Sequence, residues 1–394
     1  MTTPTFAGSP YVIRCGGQGH KVGLDPGRFW RPARCPACHA AVDPFRLRRL
    51  WWWLRGQAPR SRLKVGATFL TPLDGIILLT AAGLALVSVL LRTGDRWWGG
   101  TVLLFSGRWP WLLPLGPLAV MALFSRRFLT VGLLLVPTLI GGLGVMGGSL
   151  GLGRLSGRGD PAATVRIITF NVAGGETAAR HLAELVDDWQ PDLVAIQECG
   201  PVMRSAMEAI RGYRSYSGVV CLLSRLPVQS VEQLPRKSVA EAGGSGMVIR
   251  YRIEGPQGPF DLTNVHLDTP RQGFESLLRG ETSAPLTIEE GIVLRDIESR
   301  QARQWVEEGP GPRLVAGDFN LPSESAIYRE HWGDLTEAFE AAGFGIGATR
   351  FNGWIRLRID HVLADDSWVV RSARVLPDYG SDHRPLLADL ERRR

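Results

Sequence analysis

In the second half of this 394-residue chain, side chains able to do acid–base or metal chemistry recur at the ends of apolar runs. Asn171 follows VRIITF, Glu198 follows LVAIQ, His266 follows LTNV, Asp318 and Asn320 follow LVAG, Asp360 and His361 follow RI, and Asp382 and His383 precede RPLLADL. Strand ends converge when sheets pack, so groups from six separate segments can share one cleft. Such a set needs no covalent nucleophile. Carboxylates such as Glu198 and Asp382 are hard oxygen ligands of the kind Mg²⁺ prefers, while amides, imidazoles and a further carboxylate can hold and polarise a phosphate. Attack of water on a phosphoester asks for an activated water on one side and charge neutralisation on the phosphoryl oxygens.

Taken singly, Asp318 or Asn320 would more often be a turn residue after a strand, and Asp360-His361 a satisfied strand-end pair. Taken in order, ITFNVAG, AIQE, NVHLD, GDFN, IDHVL and SDHRPL resemble the endonuclease/exonuclease/phosphatase superfamily, the DNase I-like fold, over about residues 164–392. The resemblance implies an α/β fold, a four-layer α/β/β/α sandwich, and phosphoester hydrolysis dependent on Mg²⁺ or Mn²⁺. It makes Glu198 the principal metal ligand with Asp382 near the metal. Asp318 would orient or deprotonate the attacking water, Asn171 and Asn320 would position the phosphate, and His266 would contact it. His383 would stabilise developing charge or act as general acid, its ring oriented by Asp360. Some nuclease members carry an acidic residue two positions after the first Asn, where this chain has Ala173. His361 is read as structural, and Asp268 and Arg271 as candidate substrate contacts.

The elements that must position these residues are expected from apolar runs bounded by turn residues. VRIITF, DLVAIQ, GVVCLLS, MVIRYRI, FDLTNVHL, RLVAGDF, IDHVLA and PLLADL read as strands. Ala179, Leu182, Leu185, Val186 and Trp189 recur at helical spacing until Pro191, and a second long helix is expected over 287–308. Strands partly in hairpin order and partly separated by helices favour a sandwich of sheets with outer helices over a doubly wound parallel sheet. Cys221, inside one of the runs, is expected to be simply buried.

The upstream part is of a different kind. The chain carries a net charge of +7, yet residues 1–64 hold 12 Lys and Arg against 2 Asp and Glu, whereas residues 149–394 hold 28 against 34. The basic character therefore belongs to the N-terminal segment and is no sign of a nucleic-acid surface downstream. Between them runs an almost uncharged belt with apolar stretches over 75–91, 109–124 and 128–146. Three such stretches so close together exclude a wholly soluble or a disordered chain and read as about three transmembrane helices, the middle one, shorter and with three prolines, being a span, a kinked span or a re-entrant piece. Residues 1–30 hold no apolar run of signal-peptide length. Basic residues before the first stretch and Arg126-Arg127 between the second and third place the N-terminus in the cytoplasm. Three crossings then put the catalytic part outside it, and two would reverse this.

The expected organisation is thus a basic cytoplasmic segment over 1–64, a transmembrane region over 65–147, a Gly-rich linker over 148–163 and a catalytic domain over 164–394. In the first segment Cys35-Pro-Ala-Cys38 is a zinc half-site, and RCGGQGH resembles its partner with Gln18 where a second Cys would stand. Cys15, His20, Cys35 and Cys38 are candidate structural zinc ligands, with His39 an alternative fourth. Five cysteines, three of them N-terminal, do not make a disulfide scaffold. The function expected is a membrane-anchored, metal-dependent phosphodiesterase or phosphatase acting on a lipid headgroup, a small phosphoester or nucleic acid. Its alternatives are a nuclease acting on extracytoplasmic DNA and a non-catalytic scaffold that keeps the fold. A transporter is excluded by the scarcity of polar groups in the apolar stretches.

Overall fold

The computed structural model describes residues 12–14, 21–23, 33–34, 38, 41–42 and 70–393, except 126, 154–159, 161, 236 and 242. The chain divides into two units, Met1–Leu70 and Thr71–Arg394. In the first, β1 (Val12–Arg14) pairs antiparallel with β2 (Lys21–Gly23), and β3 (Ala33–Arg34) with β4 (Ala41–Val42). Cys38 is in a turn between β3 and β4; the candidate zinc ligands Cys15, His20 and Cys35 lie outside the described residues.

The second unit opens with the apolar belt. α1 (Pro72–Leu91) begins at a capping box in which the Thr71 hydroxyl accepts from the Asp74 N–H and the Asp74 carboxylate accepts from the Thr71 N–H. α2 (Trp98–Phe105) is short, and a 3₁₀ turn (Trp109–Leu112) leads into α3 (Leu115–Ser125). α4 (Phe128–Leu133), α5 (Leu135–Leu139) and a π-helical turn (Ile140–Val145) then form one helical run. Its break follows from Pro137, which has no N–H to donate to Leu133. The three apolar stretches are therefore helical. Pro72–Leu91 and Phe128–Val145 have the length to cross a bilayer, with mean hydropathies of 2.2 and 2.1, whereas Trp109–Ser125 is shorter.

From residue 164 the chain builds two six-stranded sheets. Its first half contains β5 (Thr164–Asn171), α6 (Glu176–Arg180), α7 (Leu182–Trp189), β6 (Leu193–Gln197), α8 (Pro201–Glu208), β7 (Arg214–Tyr216), β8 (Cys221–Ser224), β9 (Val228–Gln233), α9 (Lys237–Glu241), β10 (Met247–Gly255) and β11 (Gly258–His266). There follow α10 (Arg271–Leu278), α11 (Ala284–Glu308), β12 (Arg313–Asp318), α12 (Ala326–His331), β13 (Thr336–Glu337) and α13 (Ala338–Ala342). The chain ends with the hairpin β14 (Arg350–Asn352) and β15 (Ile355–Leu357), then β16 (Asp360–Ala364), β17 (Trp368–Val375) and β18 (Leu386–Arg392). One sheet has the order β17-β18-β5-β6-β8-β7, the other β13-β16-β12-β11-β10-β9.

Alternation along the strands makes the layers. On β5, Val165 and Ile167 join the core between the sheets, with Leu193, Leu262 and Leu314. Ile168 and Phe170 face the other way, onto Leu182, Leu185 and Met203 of the helices over the first sheet. Val265 and Val315 of the second sheet pack outward against Ile288 and Ala302 of α11 and Tyr328 of α12. The result is an α/β/β/α sandwich, as the sequence implied.

Three details differ from expectation. The helix expected through 179–189 is broken at His181, whose Nδ1 meets the Thr177 carbonyl at 2.9 Å. β9 and β17 were not among the expected strands, and five of the six β9 residues are exposed. Cys221 is not simply buried: it is disulfide-bonded to Cys199, closing a loop of 22 residues. By loop-closure entropy such a crosslink stabilises the fold by about 3 kcal/mol.

The apolar belt is docked on the sandwich. Arg295 of α11 reaches Asp95 at 2.7 Å, with both side chains buried, and Arg108 reaches Glu324 at 2.6 Å. Leu84, Val87 and Leu91 of α1 share one apolar cluster with Phe105, Val145, Leu357 and Ile359. The stretch expected to be a linker begins pinned, because the backbones of Ser149 and Gly345 exchange hydrogen bonds of 2.8 and 3.0 Å.

Candidate active site

The site sits where the two sheets bring their strand ends together. Asn171 ends β5, His266 ends β11, Asp318 ends β12, Asp360 begins β16, and Glu198 immediately follows β6. Parallel pairing of β11 with β12 sets His266 opposite Asp318, and antiparallel pairing of β12 with β16 sets Asp318 opposite Asp360. Register alone therefore aligns three of the groups. Close approach of β11 and β12 also explains Gly317, at φ 154°, where a Cβ would overlap the Val265 carbonyl oxygen.

At the centre is Asn171, buried, whose Nδ2 donates to Glu198 Oε1 at 3.1 Å and to Asp318 Oδ2 at 2.9 Å. Its orientation is held by the other end of the amide, since Oδ1 accepts from the Ala173 N–H at 2.8 Å. Asn320 braces Asp318 with its backbone N–H (2.8 Å to Oδ1), and its side-chain amide donates to the Leu267 carbonyl at 2.9 Å. Glu198 (φ 55°) and Asn320 (φ 50°) both occupy the left-handed region, a conformation costly for residues with a Cβ and common at functional sites.

His383 Nδ1 meets Asp360 Oδ2 at 2.8 Å, which leaves Nε2 directed toward Asp318, 3.8 Å from Oδ2. Burial by itself would lower the pKa of His383, but the Asp360 and Asp318 carboxylates outweigh it and the imidazole is pushed up to about 9. Asp318 is shifted upward by burial and by the charge of Asp360, against the opposing pull of His383, His266 and Asn171. His266 Nε2 stands 3.7 Å from Glu198 Oε1 and 3.9 Å from Asp318 Oδ2.

Not every candidate faces the same point. The Asp382 carboxylate pairs with Arg350, and Asp382 is not among the carboxylates gathered around Asp318. Asp268 accepts from the Ser245 hydroxyl at 2.6 Å, and Arg271 lines the cleft. His361 is turned away, with Nε2 2.9 Å from the Leu321 carbonyl and its ring against Tyr328.

Several positioning residues carried no sequence signal of their own. The Thr349 hydroxyl accepts from the Asp360 N–H at 3.1 Å, and the Ser381 hydroxyl donates to the Asn171 carbonyl at 2.9 Å and accepts from the His383 N–H at 3.1 Å. Beneath the site, buried Gln197 donates to Asn264 Oδ1 at 2.7 Å, and Asn264 Nδ2 donates to the Cys221 carbonyl at 2.9 Å, which ties the two sheets together. Gln197 stood in the AIQE motif and Asn264 in NVHLD, so adjacency to a motif was the one clue available.

The donor set fits a hard divalent cation. Ligand atoms of Asp318, Asp360 and His383 lie within 4.8 Å of one another, but Asp360 and His383 are bonded to each other, which leaves Asp318 as the carboxylate of the three to face a cation. Glu198 adds a carboxylate that is open to the cleft, and two carboxylate oxygens converge on one neutral amide, so a cation there would offset their repulsion.

A model of the endonuclease/exonuclease/phosphatase family matches residues 168–383, more than half of the chain. No curated protein matches the sequence. Among solved structures, the chain is similar to a D. rerio TDP2 humanised by 14 mutations, at 17% identity and a TM-score of 0.47 over 58% of this chain and 99% of that one. It is also similar to a mannosyl-6-phosphatase of Bacteroides thetaiotaomicron, at 17% identity and a TM-score of 0.43 over 57% and 99%. An endonuclease/exonuclease/phosphatase family protein of the same organism gives 16% identity and a TM-score of 0.46 over 59% and 98%. With its family match and its strand-end carboxylates, amides and imidazoles gathered in one cleft, the chain belongs to the endonuclease/exonuclease/phosphatase family of phosphoester hydrolases.

Proposed function

We propose that the protein is a membrane-anchored, metal-dependent phosphoesterase whose catalytic domain lies outside the cytoplasm. The observation that supports the catalytic reading is the chain of contacts Asp360–His383–Asp318–Asn171–Glu198, whose carboxylates and imidazole are suited to act as base, acid and metal ligand. Glu198, with Asp318 beside it, would hold Mg²⁺ or Mn²⁺, which when bound neutralises charge on the phosphoryl oxygens. Asp318, its basicity raised by burial, takes a proton from the attacking water as the water oxygen bonds to phosphorus. The ester P–O bond breaks, and the leaving oxygen takes a proton from Nε2 of His383. Asp360 holds the other ring nitrogen and so keeps the tautomer and orientation. His266 and the two asparagines line up the phosphate.

Three observations support the anchored topology. Arg127, in the connection between the second and third apolar segments, reaches Asp74 at the start of α1 (3.2 Å), while Arg108, just before the second segment, is held by Glu324 of the catalytic domain. The middle segment thus runs the length of α1 between a catalytic end and a remote end. Its α-helical part, the 11 residues of α3, spans about 17 Å and is extended by the 3₁₀ turn before it. Only 28% and 22% of the two longer apolar segments are buried, and Leu79, Leu86, Phe124, Phe128 and Leu135 turn outward, unlike the core helices of a soluble domain. The Cys199–Cys221 disulfide suits an oxidising compartment, which agrees with three crossings from a basic cytoplasmic start.

The test is hydrolysis of bis(4-nitrophenyl) phosphate by the purified full-length protein with Mg²⁺, Mn²⁺ or chelator, beside Asp318→Ala. Metal-dependent turnover that falls by at least 10³-fold in the variant is expected. Turnover insensitive to chelator or to the substitution would overturn the catalytic assignment.

A further inference from the structure

The cleft that holds the catalytic groups has two unlike ends. Glu198, His266, Asp318, Asn320 and His383 line one; Phe105 of α2, Phe274 and Leu277 of α10, and Ile355 and Leu357 of β15 line the other. The cavity measures 440 Å³, within the range of small-molecule sites. A phosphate group would need the polar end alone. Phe105 and Phe274 pack edge to face at 5.8 Å and, with Leu277, Ile355 and Leu357, make a carbon face, while Ser106, Ser245, Thr269, Arg271, Arg350 and Asn352 are the other polar residues of the lining.

The source of that wall matters as much as its character. Phe105 and Val102 belong to α2, which joins the first apolar segment to the second, so the cavity lies at the level where those segments end. Large apolar side chains crowd the same level. Leu278, at the cleft mouth, is 87% exposed, and Trp354, at the tip of the β14–β15 hairpin, is 75% exposed while its ring stacks on Trp109 at 5.5 Å. Trp97 and Trp98 are also exposed beside α2. Tryptophans at the ends of apolar helices mark the zone between hydrocarbon and water. Arg271, on the cleft wall near the catalytic groups, adds a cation suited to a phosphate.

We propose that the substrate is a membrane amphiphile: a phosphoester bearing a hydrocarbon chain, with its phosphate at the catalytic groups and the first carbons of the chain against Phe105, Phe274, Leu277 and Ile355. This rests on the phosphoesterase reading above and names the substrate class for that site. A sugar or nucleoside phosphate would leave its hydroxyl or base polar groups unpaired wherever they met the carbon face of Phe105, Phe274, Leu277 and Ile355, whereas each methylene buried there favours binding by about fourfold.

Calorimetry on the full-length protein in lipid nanodiscs with Mg²⁺ tests this through binding, independently of turnover. The probes are methyl phosphate, hexyl phosphate and sorbitol 6-phosphate, with empty nanodiscs as the blank. Hexyl phosphate is expected to bind at least tenfold more tightly than either of the others, and Phe274→Ser is expected to narrow that ratio below threefold. Equal affinities for the three probes, no binding of hexyl phosphate, or an unchanged ratio in Phe274→Ser would overturn the proposal. Chain-length-dependent binding without hydrolysis of bis(4-nitrophenyl) phosphate would sink the catalytic reading and leave the hydrocarbon wall standing.

Discussion

Asp360 touches the chemistry only through His383, and its role separates from that of Asp318 on this ground. Asp318 faces the cleft, whereas Asp360 is fully buried behind the imidazole and fixes its Nδ1. Asp360→Asn keeps the shape but changes the hydrogen-bond partner of the ring. The expected result is a kcat lowered by about 10² with KM little changed, the size usual for groups that orient a catalytic ligand. Loss of KM and kcat together would instead place Asp360 among the substrate-binding groups. The polar side chains that meet in the cleft were legible because each ends an apolar run within a motif. The Thr349 and Ser381 hydroxyls were not, because a hydroxyl at a loop position has no sequence signature for the backbone N–H it will meet. The Asp382 carboxylate shows the reverse difficulty. Its neighbour His383 reaches the centre, while Asp382 itself points to Arg350, and one residue of separation along an irregular loop decides which does which.

The same contrast holds for elements. Runs such as VRIITF and RLVAGDF were recognisable because strands buried on both faces are apolar throughout, and β6, buried at every position, is the plainest case. β9 escaped because its face is open to water and its sequence is correspondingly polar. The disulfide escaped for another reason: Cys199 and Cys221 lie on adjoining segments of one sheet, a proximity that only pairing of β6 with β8 creates. Because Cys199 follows Glu198 directly, the crosslink also steadies the turn that presents the candidate metal ligand. Cys221→Ser is expected to cost about 3 kcal/mol in denaturant unfolding, and reductant is expected to do the same to the native chain. An unfolding midpoint insensitive to both would show that the crosslink carries no stability.

The element-to-element dock has a pH signature of its own. Burial opposes ionisation of Glu324, but the guanidinium groups of Arg108 and Arg358 more than offset this and hold its carboxyl below the usual range. A depressed native pKa means that the unfolded chain binds the proton more readily. The contribution is therefore complete above about pH 4.3, the ordinary value, and is lost as pH falls through the lower native value. Glu324→Gln should cost about 3 kcal/mol at neutral pH by leaving Arg108 without its charge partner, and should show a flatter loss of stability on acidification than the native chain. Thermal unfolding from pH 7 to pH 3 measures both.

For the whole molecule, the charge map and the belt of apolar stretches were plain in the sequence, and the stretches are helical in the structure. What the sequence could not convey is that the belt and the sandwich share a core, since Phe105 and Ile359 meet only in the folded chain. Topology is the prediction that belongs at this scale. A reporter active only outside the cytoplasm is expected to work when fused after residue 394 and to fail when fused before residue 1. Failure of both fusions would mean two crossings and a cytoplasmic catalytic domain, and the opposite pattern would mean three crossings in the reverse orientation.

The buried Arg295–Asp95 and Arg108–Glu324 pairs acquire a further meaning in a chain anchored as proposed. An enzyme on a flexible tether samples a hemisphere of solution. One bolted to its anchor at two points works at a single altitude and in a single attitude. Which phosphoester is cleaved then depends on how far the bond stands from the bilayer plane as well as on its chemistry. Encounters occur by lateral diffusion, so the relevant concentration is molecules per unit area.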